Sequence, residues 1–112
     1  MLVKTSELIG SNLDWAVAKC EETIYHGPAW TKFSSDWSQA GPIIEREKFD
    51  RISTNVSGGF TVSKKFVELR DDDSYSIRWV HGSGPTTLIA TMRCYVASKL
   101  GDTVEIPDNL MV

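Results

Sequence analysis

The sequence predicts an α+β fold: a mostly antiparallel sheet of four to six strands, with two main helices packed on one face. Apolar residues recur every three or four positions through 84–102, which is typical of a helix with one buried side. A strand-like run at 60–69, an acidic turn at 71–74 and an alternating run at 75–80 together indicate an antiparallel hairpin. Since a helix stripe needs a partner surface, we expect the helices to cover one face of this sheet.

Length and composition restrict the classes of protein that the chain belongs to. With 112 residues, the chain is expected to form one domain over 1–112. The net charge is −3 and there is no basic tract, so nucleic acid is not an expected partner. No apolar run approaches the ~20 residues that span a bilayer, and no signal-peptide pattern is seen, so we expect no membrane association.

The helix predicted at 84–102 has recognisable start and stop signals. Pro85 suits the first helical position, because its fixed φ is helical and its missing N–H is not needed there. Gly101 suits the residue that ends the helix, and Lys99 places a cation in the last turn. We expect the apolar stripe to pack on the sheet; it consists of Leu88, Ile89, Met92, Tyr95, Val96 and Leu100.

Shorter elements fill the rest of the chain. Ser11 and Asp14 indicate the start of a helix that continues to about Glu22. Pro42 and the glycine before it predict that 35–47 is a loop with one or two helical turns. The other expected features are an extended run at 1–4, a loose hairpin at 23–33, a strand at 49–56, a bulge near 64–65 and a closing strand at 104–106.

The start of the 84–102 helix is the first candidate site. The first N–H groups of a helix lack internal partners and carry partial positive charge, so they can hold a phosphate or a carboxylate. Gly84 allows close approach to the backbone, Thr86 offers a hydroxyl, and Arg93 or Arg78 offers a counter-charge. The alternative is that Gly84 and Pro85 only begin a helix.

The segment 36–47, with the sequence DWSQAGPIIERE, is the second candidate site. An aromatic face, an amide and opposite charges suit a purine or a sugar. The alternative is a loop anchored in the core with an ion pair facing solvent. The residues expected to contact a ligand are Asp36, Trp37, Gln39, Gly41, Pro42, Glu45 and Arg46 here, and Gly84, Pro85, Thr86 and Arg93 at the helix start.

Other reactive residues give weaker signals. His26 and His81 lack further ligands at metal spacing, so neither a metal nor a cofactor is expected. The chain has no Gly-x-Ser-x-Gly nucleophile motif, which disfavours a hydrolase. Cys20 and Cys94 are interpreted as buried thiols, and 71–73 as a solvated turn. Most of the aromatic residues are expected in the core; the tryptophans are Trp15, Trp30, Trp37 and Trp79.

Several segments together resemble a bacteriophage family, the NinX-like proteins of lambdoid phages and prophages. The matching segments are 3–8, 13–19, 35–47 (SDWSQAGPIIERE) and 84–102 (GPTTLIATMRCYVASKLGD), in the order of the family. Thr87 stands where relatives often have a second proline, and Ala40 where they often have glycine. The resemblance implies a phage protein that acts in the host bacterial cytoplasm, and it implies no known activity.

These observations lead to three hypotheses of function. The first is a non-enzymatic protein that binds a small anionic, nucleotide-derived ligand and sequesters a host defence signal. The second is an interaction module that inhibits or redirects a host protein, based on the four tryptophans. The third is an enzyme acting on nucleotides with Glu45 or Glu47 as general base, which we disfavour because isolated carboxylates are weak grounds for catalysis. The sequence is also compatible with a homo-oligomer.

Overall fold

The fold combines five β-strands and three α-helices within residues 1–110, which are the residues that the computed structural model describes. Short 3-10 helices lie at Thr5–Glu7 and Asp108–Leu110. The predicted α+β class is therefore confirmed. In chain order the elements are β1 (Leu2–Lys4), α1 (Ser11–Cys20), α2 (Trp37–Glu47), β2 (Arg51–Thr54), β3 (Phe60–Leu69), β4 (Tyr75–Gly84), α3 (Thr87–Leu100) and β5 (Thr103–Glu105).

All strands of the described chain pair antiparallel, but they form two sheets instead of one. The larger sheet has the order β2-β3-β4, and the smaller joins β1 to β5. The Met1 backbone accepts a hydrogen bond of 2.9 Å from the Ile106 N–H, which extends the pairing of β1 with β5. The strand number agrees with the prediction; the division into two sheets arises because β1 pairs with the segment after α3.

Helix α3 lies at the centre of the fold and is buried on two sides. Its large residues, including Met92 and Tyr95, join the main core with α1 and α2. Its small residues Ala90 and Cys94 pack on the large sheet against Val62 of β3. The predicted stripe therefore faces the other helices, and a second row of small side chains makes the contact with the sheet.

The approach of α3 to β4 depends on a glycine. A Cβ atom at Gly82 would lie 2.3 Å from the Cys94 nitrogen and 2.4 Å from the Ala90 oxygen, so no side chain fits there. Strand β4 runs through Gly84, where the sequence indicated only a lead-in to the helix. Gly82 thus lets the backbones of strand and helix meet directly.

The ends of α3 differ in one respect from the prediction. The helix begins at Thr87, and the Thr86 hydroxyl caps it by accepting a 3.1 Å bond from the Ile89 N–H. Pro85 therefore precedes the cap and is not the first helical residue. Gly101 ends the helix with a φ of 87°, as expected of a glycine at this position.

The prediction was wrong for 35–47, most of which forms the continuous helix α2. The Asp36 side chain caps it by accepting a 2.9 Å bond from the Ser38 N–H. Burial of Ala40 and Ile43 in the core then stabilises the helix despite Pro42, which has an exposed side chain. Pro42 is the sixth of the eleven residues of α2, so it removes one hydrogen bond from the interior of the helix.

Two other local predictions also differ from the structure. The expected hairpin at 23–33 is an irregular segment held by side chains: the Gln39 amide accepts from the Lys32 N–H at 2.7 Å and donates to the Trp30 oxygen at 2.9 Å. The expected bulge near 64–65 is missing, since β3 and β4 pair in one unbroken register from Phe60↔Gly84 to Leu69↔Tyr75. A change in the burial pattern along β3, and not in its pairing, explains the irregular sequence there.

We expect Gly82→Ala to lower the free energy of unfolding by about 2 kcal/mol or more, because α3 must move away from β4. Gly41→Ala is the matched control: it lies inside α2, and its added methyl group meets no atom beyond its chain neighbours and the backbone of its own helix. Because Pro42 disfavours a helical alanine before it and offsets the usual gain from glycine to alanine, it should change stability by less than ~1 kcal/mol. Urea unfolding of both variants checks this. Equal stability of Gly82→Ala and the parent protein would contradict the contact.

Candidate functional site: a polar groove at Arg93

Two adjoining hollows lie where β4 meets α3 and the 3-10 turn at Thr5–Glu7. Their volumes are about 350 and 480 Å³, and both are lined by Ser6, Ser83 and Arg93. We call the pair the Arg93 groove. Its other lining residues are Lys4, Thr5, His81, Gly82, Ala97, Asp102 and Thr103 in the first hollow and Asn55, Ser57, Gly58, Gly59, Gly84 and Pro85 in the second.

Arg93 is the central cation of the groove, and backbone carbonyls hold it in place. Its Nε donates to the Leu8 oxygen at 2.8 Å and its Nη1 to the Ser83 oxygen at 2.7 Å. The side chain is half-buried, and burial lowers the pKa of the guanidinium below its ordinary value. Arg93 forms no ion pair with any carboxylate of residues 1–110. Its fixed charge therefore lacks a counter-ion within the described part of the chain.

The groove has a positive charge balance in a chain of net charge −3. Lys4 and Arg93 supply two cations, and Asp102 supplies one carboxylate. Serine and threonine hydroxyl groups and the Asn55 amide are among its other polar groups, and more than half of the lining surface is apolar. Such a lining can donate hydrogen bonds to an anionic ligand and to its sugar or base.

His81 and Ser83 project from β4, but each is held by β3. The His81 Nδ1 lies 2.7 Å from the Ser63 hydroxyl, and the Ser83 hydroxyl lies 2.9 Å from that of Thr61. The Ser63–His81 contact has the length of a nucleophile–base hydrogen bond, but Ser63 is buried and no carboxylate of residues 1–110 bonds the other ring nitrogen of His81. The arrangement fits recognition better than catalysis.

The structure places the predicted residues at the helix start in two locations. Gly84, Pro85 and Arg93 line the Arg93 groove. Thr86 lines a different hollow, of about 430 Å³, together with Trp37. Pro85 has no N–H, and the Thr86 hydroxyl is used as the helix cap. Fewer groups at 84–86 are therefore free to bind an anion than the sequence predicted.

The predicted residues of 36–47 lie along the whole of α2. Trp37 and Thr86 both line the hollow just described, so the two candidate segments border it together. Asp36 caps α2, and Gln39 holds the preceding segment. The remaining predicted residues lie further along the helix and line neither hollow; they are Gly41, Pro42, Glu45 and Arg46.

Arg46 belongs to a separate ion-pair network that joins three helices. It donates to both Glu21 oxygens, at 3.0 and 2.6 Å, and to Glu47 at 2.8 Å. The Tyr95 hydroxyl donates to Glu21, and Lys64 pairs with Glu47 at 3.1 Å. These contacts satisfy Arg46 with two carboxylates, in contrast to Arg93.

The network changes the ionisation of its acids. Hydrogen bonds from Arg46 lower the pKa of Glu21. Burial alone would raise the pKa of Glu47, but hydrogen bonds from Arg46 and Lys64 lower it overall. Burial and the contact with Glu21 raise the pKa of Tyr95, so its hydroxyl stays protonated and can donate.

The described residues offer few groups for metal or covalent chemistry. Within 1–110 no cluster of three or more His, Cys, Asp or Glu side chains could hold a metal ion. Cys94 is buried and Cys20 half-buried, and both are free thiols. Burial raises the pKa of each thiol to about 11, which makes it a weak nucleophile at neutral pH.

Sequence reasoning identified Arg93 but missed most of its neighbours. Lys4, Ser6 and Asn55 come from segments far away in the chain, and nothing in their local sequence indicates a shared surface. A usable signal was present in 81–84, where polar residues alternate with glycine in a strand. That pattern is typical of a strand with a helix backbone on one face and polar side chains on the other.

We expect Arg46→Met to lower the free energy of unfolding by about 1–2 kcal/mol at pH 7, since two carboxylates lose their charged partner. Glu21 and Glu47 have lowered pKa values, so their contribution is present above the ordinary value of 4.5 and disappears as the pH falls below it. The difference between parent and variant should therefore shrink toward pH 3.

Urea unfolding from pH 3 to 7 measures this difference. Arg70→Met serves as control, because Arg70 lies in an exposed turn and forms no ion pair with residues 1–110. It should change stability by less than about 0.5 kcal/mol. A deficit of Arg46→Met that stays constant over the whole pH range would show that the ion pairs are not its cause.

None of the helices within 1–110 has the length and hydrophobicity needed to cross a lipid bilayer.

Comparison with known proteins agrees with the resemblance seen in the sequence. No curated protein matches the chain. A family model described as "Bacteriophage P22, NinX" matches residues 4–99, which include α1 to α3 and all three strands of the large sheet. The chain therefore belongs to the bacteriophage P22 NinX family and is a phage accessory protein.

Proposed function

We propose that this phage protein binds a small anionic, nucleotide-derived ligand in the Arg93 groove, without catalysing a reaction. The observation that carries the proposal is the half-buried guanidinium of Arg93, which two backbone carbonyls fix and no carboxylate of residues 1–110 neutralises. A partly desolvated charge that has hydrogen-bond acceptors but no counter-ion is costly for the free protein. A ligand phosphate or carboxylate would offset this cost.

The size and lining of the groove support a nucleotide-derived ligand. Hollows of about 350 and 480 Å³ are in the range of small-molecule sites. Gly58 has open space where a side chain would be, which leaves room for a phosphate close to the backbone, while Lys4 adds a second cation. The Asn55 Oδ1 already accepts from Thr61 at 2.8 Å, so its amide nitrogen is the end that would reach a base or ribose.

The cellular role that we propose builds on membership of the phage family and on the lack of a complete catalytic triad among residues 1–110. A phage accessory protein that holds a nucleotide without converting it would act by sequestration. The proposed setting is the host bacterial cytoplasm, and the proposed target is a nucleotide signal of host defence. An enzyme that uses Glu45 or Glu47 gains no support, since Glu47 is engaged by Arg46 and Lys64.

A thermal-shift screen with cyclic and ADP-ribose-type nucleotides tests the proposal. At a concentration about 100 times the Kd, a true ligand should stabilise the protein by ~2.7 kcal/mol, or roughly 10 °C in Tm. Arg93→Lys keeps the charge but loses the planar fork, and should weaken binding at least ~10-fold by calorimetry. Lys48→Gln removes an exposed cation outside the groove and should bind as the parent does.

The folded state of Arg93→Lys is checked by circular dichroism before binding is compared. The proposal is wrong if no nucleotide shifts the Tm and protein purified from infected cells carries no nucleotide. It is equally wrong if a nucleotide binds with the same affinity to Arg93→Lys and to the parent, because Arg93 would then not be the recognition group.

A second candidate function is a module that inhibits or redirects a host protein. Two of the four tryptophans, Trp30 and Trp37, are more than half exposed, at 77% and 58%. Gln39 of α2 bonds the Trp30 oxygen, which holds the segment of Trp30 against the helix that carries Trp37. Exposed tryptophans are enriched at the centres of protein interfaces.

We expect Trp30→Ser to lose any stoichiometric host protein that the parent retains in an affinity pull-down from host lysate. Ile24→Ser, a residue of the same segment that is 73% exposed, is the matched control and should retain it. Loss of the partner by both variants, or by neither, would contradict a tryptophan-centred interface.

A further inference from the structure

One face of the β3–β4 hairpin is apolar and uncovered. Because β3 and β4 pair in one register, their odd-numbered residues share the face that points away from α3. Val67 pairs with Ile77, and Leu69 with Tyr75. We call these four residues together with Trp79 the outer hairpin face. Their exposed fractions are 58% for Val67, 84% for Leu69, 64% for Tyr75, 52% for Ile77 and 41% for Trp79.

This pattern is the reverse of what a one-sided antiparallel sheet should show. Such a sheet places apolar residues toward the covered face and polar residues toward water. The base of the same hairpin obeys the rule, because Thr61, Ser63 and His81 occupy the outer face there. Only the distal half is apolar outside, and its five side chains expose on the order of 600 Å², the size of the largest patches on monomeric proteins.

The outer hairpin face has charges of opposite sign at its two ends. The turn at the tip carries three acids, 71–73. At the other end, the Arg51 guanidinium lies 5.6 Å from the ring centre of Trp79, and Lys65 pairs across the strands with Trp79. An apolar stripe that is acidic at one end and basic at the other is complementary to itself when one copy is reversed.

We propose that the outer hairpin face is the contact surface of a homodimer, in which two hairpins pack face to face with their tips in opposite directions. A twofold axis near Val67 and Ile77 places Leu69 over Lys65 and Tyr75 over Trp79 of the second copy. It also places the acidic tip of each copy over Arg51 of the other. Complete burial of two such faces would remove roughly 1,200 Å² from solvent, which is the lower limit for specific, stable interfaces.

Sedimentation equilibrium of the full chain tests the dimer, with twice the mass of one chain as the expected result. Ile77→Glu places two like charges beside the twofold axis and should raise the dimer dissociation constant at least ~100-fold. Val56→Glu is the matched control, since Val56 is fully exposed in the β2–β3 turn, and it should leave the constant unchanged. Circular dichroism verifies that both variants are folded.

A charge-exchange experiment distinguishes this arrangement from other dimers. Arg51→Glu and Asp71→Lys should each weaken the homodimer, about 5-fold or more at low salt, because like charges then face each other. Mixing the two variants should restore tight association, since both contacts of the mixed dimer again pair opposite charges. A mixed dimer of Val56→Glu with either variant regains only one of the two contacts, so it should be weaker than the mixed dimer of Arg51→Glu and Asp71→Lys.

Four results would overturn the proposal. One is a monomer at every accessible concentration. Another is a dimer that Ile77→Glu leaves unchanged. The third is a failure of mixed Arg51→Glu and Asp71→Lys protein to associate more tightly than each variant alone. A monomer that binds a different protein through this face would likewise contradict it, since the occupant would not be a second copy.

Discussion

The direct contact between the backbones of α3 and β4 at Gly82 is the constraint on which the rest of the structure depends. Because Gly82 has no side chain, the Cys94 nitrogen and the Ala90 oxygen can contact the strand backbone. This contact fixes the distance between helix and sheet, and it sets the rotation of α3. Small residues then face the sheet, and large residues face α1 and α2.

The same contact creates the groove. Arg93 immediately precedes Cys94, and its Nη1 reaches the Ser83 oxygen next to Gly82. If the helix lay farther from β4, the guanidinium would be in solvent, where water would accept its hydrogen bonds. Held close, Arg93 is half-buried, bonded to two carbonyls, and without an ion pair inside 1–110. In both elements, the residue that packs the backbones together is thus the direct neighbour of a groove residue: Gly82 precedes Ser83 in β4, and Arg93 precedes Cys94 in α3.

The sequence predicts elements whose stability is local and fails where stability comes from distant contacts. The periodicity of α3 and the alternation of the hairpin are visible in their own residues. Helix α2 was missed because Gly41 and Pro42 argue against it locally, while Ala40 and Ile43 stabilise it through the core. At the candidate site, the role of Arg93 as a cation for an anionic ligand could be predicted, because Arg93 follows the helix start in the sequence. The contributions of Lys4 and Asn55 could not, since only the tertiary fold brings them to the groove.

The most direct test of the account is the NMR signal of the Arg93 guanidinium in ¹⁵N-labelled protein. Bonding to the Leu8 oxygen should protect the Nε–H from exchange with water, and addition of a bound nucleotide should shift the Nη resonances of Arg93. A nucleotide that shifts signals elsewhere and leaves those of Arg93 unchanged would contradict the central claim. So would an Nε–H that exchanges as fast as that of an exposed arginine such as Arg70.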